Sequence, residues 1–524
     1  MGHNILTPHH DSLLVAPGYC PGRWSVLLLA ILFGVAYPQF PLYHDTQNQY
    51  FFHGLVRAGM GLLRLDWLAG TTDVWPVFSA LVTLTYRYLD VRMFYGYFFV
   101  LLAVYAYAMW GIVTSVWVGL RAWPKTVVFF ALLAALHSPW VGELSTAAVG
   151  FSVGAQLTSG VALQELLGRM LQPSTFGAFL LVSVLAFLRG KPLPALVWAA
   201  LAATIHPTYI LTAAVLILSY LAVLWRRGRR FHALVRLSLW ALLLLLPVLT
   251  YVAVAFRPTS ADLVAQAQAI LVHYRFPHHA YPARWWGPMV YVKLAVVMVA
   301  LGLVRRSALF IILLALSAGA AGLTVLQVLS GSDRLALLFP WRLSVVLMPL
   351  ATALTAAGLA SWGVDWLTRR FPGTVRLAAG CGVLLLVALT AVGVRETWRR
   401  FTPGHPDHRA ALFEHVRETK SPGALYLIPP YWDNFRLATG APAFIDWDFI
   451  PYDDWAVLEW YRRFRLADAF YKATGGERCR ILRDLAARER ITDVALRGQS
   501  LEACGPWRLV FHAGDHRLYR LGPQ

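Results

Sequence analysis

Charge is what this chain has least of. Only 14% of its 524 residues are charged, where a soluble domain carries about a quarter. Acids are scarcer still, with 27 Asp and Glu against 46 Lys and Arg. Cysteine is nearly absent too, at four residues, and no C-x2-C or His-bearing zinc spacing occurs. These shortages argue against an ordinary soluble domain and against a structural zinc module. What fills the sequence instead is apolar: 58% of residues are hydrophobic and the mean hydropathy is positive. The composition is that of a polytopic membrane protein.

The net charge of +19 does not point to nucleic acid. The basic residues fall in short clusters between apolar runs: Arg121/Lys125, Arg189/Lys191, Arg226-Arg227 with Arg229-Arg230, Arg305-Arg306, and Arg369-Arg370 with Arg376. Such periodic placement marks cytoplasmic loops. A span needs roughly 20 apolar residues, and eleven segments qualify as candidates, near 23–40, 94–119, 126–142, 174–189, 193–206, 208–225, 232–256, 287–304, 307–329, 343–366 and 376–394. The first lacks a small-residue cleavage pattern and reads as a retained span. Splitting 193–225 at His206-Pro207 keeps both flanking basic clusters on one face, and proline breaks a helix there. The N-terminus is then cytoplasmic and the outer segments are 41–93, 143–173, 257–286 and 330–342. Segment 143–173 also reads as a re-entrant or further span; span parity keeps it outside.

The expected organisation is a transmembrane domain over 1–394, with a long outer loop at 41–93, followed by an extracytoplasmic domain at 395–524. The fold class is mainly α, with a small C-terminal α/β domain. In that tail a helix is expected at 411–418, a strand at 424–428, helices near 454–471 and 476–488, and strands near 491–497, 507–512 and 516–521. If the tail lies outside the cytoplasm, Cys479 and Cys504 can pair.

Candidate chemistry begins at YHDTQNQY, residues 43–50. Asp45 follows the first span directly, with His44, Tyr50 and His53 close by and Asp66 and Asp73 in the same loop. A carboxylate at a membrane border could serve as a base for an acceptor hydroxyl; equally, it could cap a helix starting at Thr46. Glu143 and Arg169 stand at the outer end of the third span and beyond it. Arginine suits bidentate phosphate contact, and interfacial anchoring explains it as well. His206 is a polar group in an apolar hairpin, so it is a functional candidate or a histidine bonding a carbonyl freed by Pro207. Arg334 and Arg342 precede the tenth span and suit either a lipid-linked phosphate or anchoring. The loop LVHYRFPHHAYPARWWG carries His273, His278 and His279 without a strong ligand spacing or a nearby acid, and suits an interfacial lid. The tail stretch PPYWDNFRLATGAPAFIDWDFIPYDDWAVLEWYRR is dense in Trp, Tyr, Asp and Arg. Such mixtures line carbohydrate sites or pack a domain on a membrane portion, and packing is the favoured reading.

This layout resembles the GT-C class of membrane glycosyltransferases. The resemblance rests on Asp45 in YHDTQNQYFFHGLVRAG, on Asp66-Trp67 downstream, on Arg169, Pro173 and His206-Pro207 in short hairpins, and on an outer domain after the last span. It implies an inverting transfer of a sugar from a polyprenyl-phosphate donor to an acceptor on the outer face. Asp45 then helps activate the acceptor and Glu143 is a second catalytic candidate. His44, His53, Asp66, Arg169, His206, Arg334 and Arg342 are the substrate-binding candidates. The expected partners are the bilayer of the inner (plasma) membrane, the lipid-linked donor and an acceptor of unknown identity. Many members carry a second acid after the first, whereas Thr46 stands here, which leaves a divalent metal cofactor open and no ligand set to assign it to. Two other readings remain: a non-catalytic envelope scaffold, and a transporter, which the absence of an inverted repeat disfavours.

Overall fold

The computed structural model describes residues 22–162, 164–371, 373–402 and 408–522. Cys20 lies outside them. Contacts divide the chain into two compact units. The first comprises residues up to 39 with 95–250 and 276–398; the second comprises 40–94, 251–275 and 399 onward.

The first unit is helical. Six described helices are long and apolar enough to cross a membrane: Met93–Val116, Pro207–Arg226, Phe231–Ala255, Ala308–Ser330, Asp333–Arg370 and Val375–Phe401. Trp123–His137 and Pro139–Val149 make a seventh if that pair, bent by 66°, is one broken span. That is fewer than the eleven expected. Four expected spans fall on shorter apolar helices, Arg23–Ala36, Pro173–Leu188, Pro192–Ile205 and Pro288–Leu303. Three of these begin at a proline, Pro173, Pro192 and Pro288, and two end at the extended residues Tyr37 and His206, close to the expected bounds, so the segments are simply short. A 14-residue helix such as Pro192–Ile205 rises only about 21 Å, against a hydrocarbon core of about 30 Å. The chain therefore has the helices of a multi-pass membrane protein.

Burial orders these helices. In the most apolar stretch of Asp333–Arg370, 89% is buried, against 17% in Phe231–Ala255. The first is the unit's centre, with Trp123–His137 and Pro288–Leu303 packed on it. The second exposes Leu239, Leu242, Leu243 and Leu246, an apolar surface suited to lipid. Glycine permits one close crossing: a Cβ on Gly393 would stand 2.7 Å from the Cα of Ala36. Polar groups are tied locally. Lys293 donates to the carbonyls of Gly160 and Ser159 at 2.6 and 3.1 Å, and Lys125 pairs with Asp365 at 2.7 Å. Segment 143–173 folds as two short helices, Pro139–Val149 and Val153–Thr158, then irregular backbone at 159–162 and 164–172. Val153–Thr158 packs on Trp123–His137 and on Ser344–Arg370.

The second unit gathers three separated stretches around a four-stranded sheet. Its strands are β1 (Tyr426–Leu427), β2 (Asp493–Arg497), β3 (Trp507–Ala513) and β4 (His516–Leu521). They run in the order β1-β2-β4-β3, with β1 parallel to β2 and the other pairs antiparallel. Leu412, Phe413 and Val416, from the amphipathic helix His408–Thr419, pack with Tyr426, Phe435, Ala495 and Leu518 in one buried cluster. Helix Asp454–Lys472 is fixed to the sheet by the Tyr471 hydroxyl, which donates to the carbonyls of Leu427 and Ala495 at 3.1 and 2.8 Å. Cys479 and Cys504 form a disulfide, joining helix Gly475–Glu489 to the turn before β3. The loop 41–93 belongs to this unit by contact. Its helices Gln47–Ala58 and Pro76–Tyr88 pack together. Leu62 N–H donates to the Gly440 carbonyl at 2.7 Å, and Thr72 N–H to Asp453 at 2.8 Å.

Candidate active site

Asp45 is held by its neighbours. Gln47 and Asn48 are fully buried, and both hold the turn that precedes them. The Gln47 side chain accepts from the Tyr43 N–H at 2.7 Å, and the Asn48 amide donates to the Asp45 carbonyl at 2.9 Å. The turn is tight enough that Tyr43 and Asp45 take φ of 65° and 51°. Asp tolerates that region and Tyr rarely occupies it; strained backbone of this kind concentrates at functional sites. One Asp45 carboxylate oxygen accepts from the adjacent Thr46 N–H at 2.7 Å, not from the later amides an N-cap serves. The buried anchors leave Asp45 exposed. His44, also exposed, stacks edge-on against Phe40 at 4.6 Å.

Two further carboxylates of the same unit share the electrostatic field of Asp45. Asp433 is held above its ordinary range by burial first, then by Asp45, while Arg409 and His44 act in the opposite sense. Asp448 is pushed up to about 6, by burial first, with Asp433 and Asp45 adding and Arg275 opposing. Arg275 reaches the Asp448 carboxylate at 3.3 Å and lies over the Trp447 ring at 4.7 Å. It ends a π-helical turn, Ile270–Arg275, a distortion common at functional sites. Tyr274 and Tyr431 flank Trp447 at 5.7 and 6.0 Å, and Tyr431 is 66% exposed. The cluster thus offers two carboxyls whose proton affinity is raised by burial, an arginine and open aromatic faces. Such a set can exchange protons with a hydroxyl and stack on a sugar ring. Among the described residues no group of three His, Cys, Asp or Glu side chains is arranged to hold a metal ion.

The other sequence candidates are distributed as follows. Asp66 is buried and committed. One of its oxygens accepts from the Leu68 N–H at 3.0 Å; the other takes Arg436 Nε at 2.6 Å and the Ala443 N–H at 2.9 Å. Arg436, fully buried, also pairs with Asp446 and donates to the Ala443 carbonyl at 2.8 Å. His53 is lowered by burial; Asp73 opposes this most, and Arg57 adds to it. Arg57 and Asp73 themselves pair at 2.9 Å. The remaining candidates belong to the first unit. Glu143, Arg169 and Arg334 are exposed there. His206 is buried at the break between Pro192–Ile205 and Ile210–Arg226, with Arg342 within electrostatic reach. The structure therefore brings His53 within electrostatic reach of Asp66 and His206 within reach of Arg342, while His44 and Asp45 are neighbours in the chain.

Sequence reading alone did not single out Asp433, Asp448 or Arg275 as companions of Asp45. The available signal was the density of Asp, Trp and Tyr in residues 429–463, together with one arginine in the aromatic loop.

Residues 408–467 match a family described as a domain of unknown function (DUF6798). That stretch contains Arg409, Asp433, Arg436, Asp446 and Asp448. No curated protein matches the chain.

Proposed function

We propose that this protein is a GT-C-type membrane glycosyltransferase that moves a sugar from a polyprenyl-phosphate donor to an acceptor hydroxyl, with its proton chemistry at Asp45. The observation that carries the reading is the grouping of Asp433 and Asp448 within electrostatic reach of the exposed Asp45, with Arg275 3.3 Å from the Asp448 carboxylate. In the reaction the acceptor oxygen bonds to the anomeric carbon as the carbon–oxygen bond to phosphate breaks. The polyprenyl phosphate leaves with the bonding electrons, and the acceptor proton passes to a carboxylate. Asp45, exposed on its strained turn, is the base. Burial raises the proton affinity of Asp433 and Asp448, and Arg275 supplies positive charge beside Asp448. Trp447 and Tyr431 offer sugar-stacking faces.

The orientation that fits places the second unit outside the cytoplasm, in the inner (plasma) membrane. The basic clusters support it through the positive-inside rule, and the Cys479–Cys504 disulfide supports it because such bonds persist in oxidising compartments.

The test is complementation of a deletion strain, with envelope glycans compared by mass spectrometry. Asp45→Asn at normal protein level should abolish the glycan difference. Asp45→Gly should do the same while leaving thermal stability unchanged or slightly higher, since glycine relieves the positive φ. A full glycan complement with Asp45→Asn would sink the proposal. A scaffold reading draws on exposed Tyr431 and Trp455; it predicts intact glycans with Asp45→Asn and loss of a bound partner with Tyr431→Ala.

A further inference from the structure

One cleft of the first unit is lined by none of the candidate site residues. It is a cavity of about 400 Å³ where four helices meet, near the turn that follows Ala178–Leu188 and the turn between Ile210–Arg226 and Phe231–Ala255. Its walls are apolar, with Phe187, Leu193 and Trp240 among them, and its rim carries Arg227, Arg229 and Arg236. A second cavity of the same volume shares Arg227 and adds Ser115 and Ser307. No Asp or Glu occurs between Glu165 and Asp262, so the helices that build the cleft bring no acid to neutralise these arginines. Topology alone explains arginines in a loop. It does not explain three of them around an apolar cavity of ligand size.

We propose that this cleft binds an anionic phospholipid, its phosphate held by Arg227, Arg229 and Arg236 and its acyl chains lying along Phe231–Ala255. Arginine matches phosphate oxygens bidentately, and basic pockets between membrane helices hold anionic headgroups. Leu239 and Leu243, on the same helix as Arg236 and Trp240, are 61% and 55% exposed and offer the chains a lipid-facing surface. A free phosphate would use the arginines and leave the apolar walls wet. A zwitterionic lipid would use the walls and bring its own cation against the arginines.

The test uses the full chain purified in detergent, titrated with phosphatidylglycerol, phosphatidylcholine or inorganic phosphate and read by native mass spectrometry. Phosphatidylglycerol should bind roughly tenfold or more tighter than phosphatidylcholine, the scale set by several arginines near an anionic headgroup. R227Q/R229Q/R236Q should erase that preference. R369Q/R370Q/R376Q, which removes equal charge from another basic cluster, should keep it. Ala233→Trp fills the cleft without touching charge, since Ala233 lines it, and should also erase the preference; if the arginine variant is not monodisperse, this variant decides. An unchanged preference in Ala233→Trp overturns the proposal. So does an equal loss in the control variant, which would mean diffuse charge, or competition by inorganic phosphate at matching concentration, which would mean an anion site without a lipid.

Discussion

Replacing Arg436 with Met tests the account of the second unit most severely. Its guanidinium is fully buried between Asp66 and Asp446 and also donates to the Ala443 carbonyl. Asp66 in turn receives the Ala443 N–H, so the ion pair fixes residue 443 from both its amide and its carbonyl. Met fills most of the volume but leaves two carboxylates without their counter-ion. Removing one partner of a buried pair costs about 3–5 kcal/mol. In a unit of roughly 200 residues each kcal/mol moves Tm by about 2–4 °C, so a fall of roughly 6–20 °C is expected. Tryptophan fluorescence during heating reads it, since Trp432 and Trp460 are buried in the same unit. The triple variant R436M/D66N/D446N should lose clearly less, because its carboxamides still accept from the Leu68 and Phe449 N–H groups and no charge is stranded. A shift below about 2 °C for R436M, or a triple variant as unstable as the single one, would refute the reasoning.

Three other outcomes follow from the same structure. The carboxyl of Asp448, raised from 3.8 to about 6 mainly by burial, binds its proton more tightly in the folded chain. Its contribution therefore falls as pH rises from about 4 to 6 and is constant above that, a change on the order of 1–3 kcal/mol; Tm against pH should show this slope in the parent and lose it in Asp448→Asn, and parallel curves would contradict it. Gly393→Val puts side-chain carbons where the Ala36 backbone sits, so overpacking of about 1–3 kcal/mol should appear as lower Tm, and an unchanged Tm would exclude that crossing. Cys479→Ser opens a disulfide between residues 25 apart and should cost about 2–4 kcal/mol, matched in the parent by reductant; no reductant effect on Tm would argue against the bond.

The tail's elements were legible because each has a period of its own. Helices expected at 454–471 and 476–488 form as Asp454–Lys472 and Gly475–Glu489, and the last two strands form at 507–513 and 516–521. The break at His206-Pro207 was legible because proline acts locally. Span count was not: four of the eleven segments form apolar helices too short to cross alone, and whether protein shelters a short end leaves no mark in hydropathy. The partners of Arg436 were invisible too, because a single buried arginine leaves no periodic trace and its acids come from different stretches of chain.

Asp45 was legible for one reason and matters for another. It stood out as an acid at a membrane exit, a property of one short stretch, residues 43–50. What distinguishes it in three dimensions is company supplied by Asp433 and Asp448, which sit far along the chain and reach it through folding of the second unit. The buried ion pair at Arg436 is part of that construction. Arg436 lies three residues from Asp433, and its partner Asp446 lies two residues from Asp448, so one ionic clamp fixes the two short segments that carry both carboxylates. The clamp thus predicts a functional consequence beyond stability. R436M/D66N/D446N, even where it folds, should relax those segments and move the Asp448 titration toward its ordinary range, which NMR of a carboxyl-labelled Asp in the full chain would register. An Asp448 titration still near 6 in that variant would mean that burial at residues 446–448 is set by the aromatic packing of Trp447 alone.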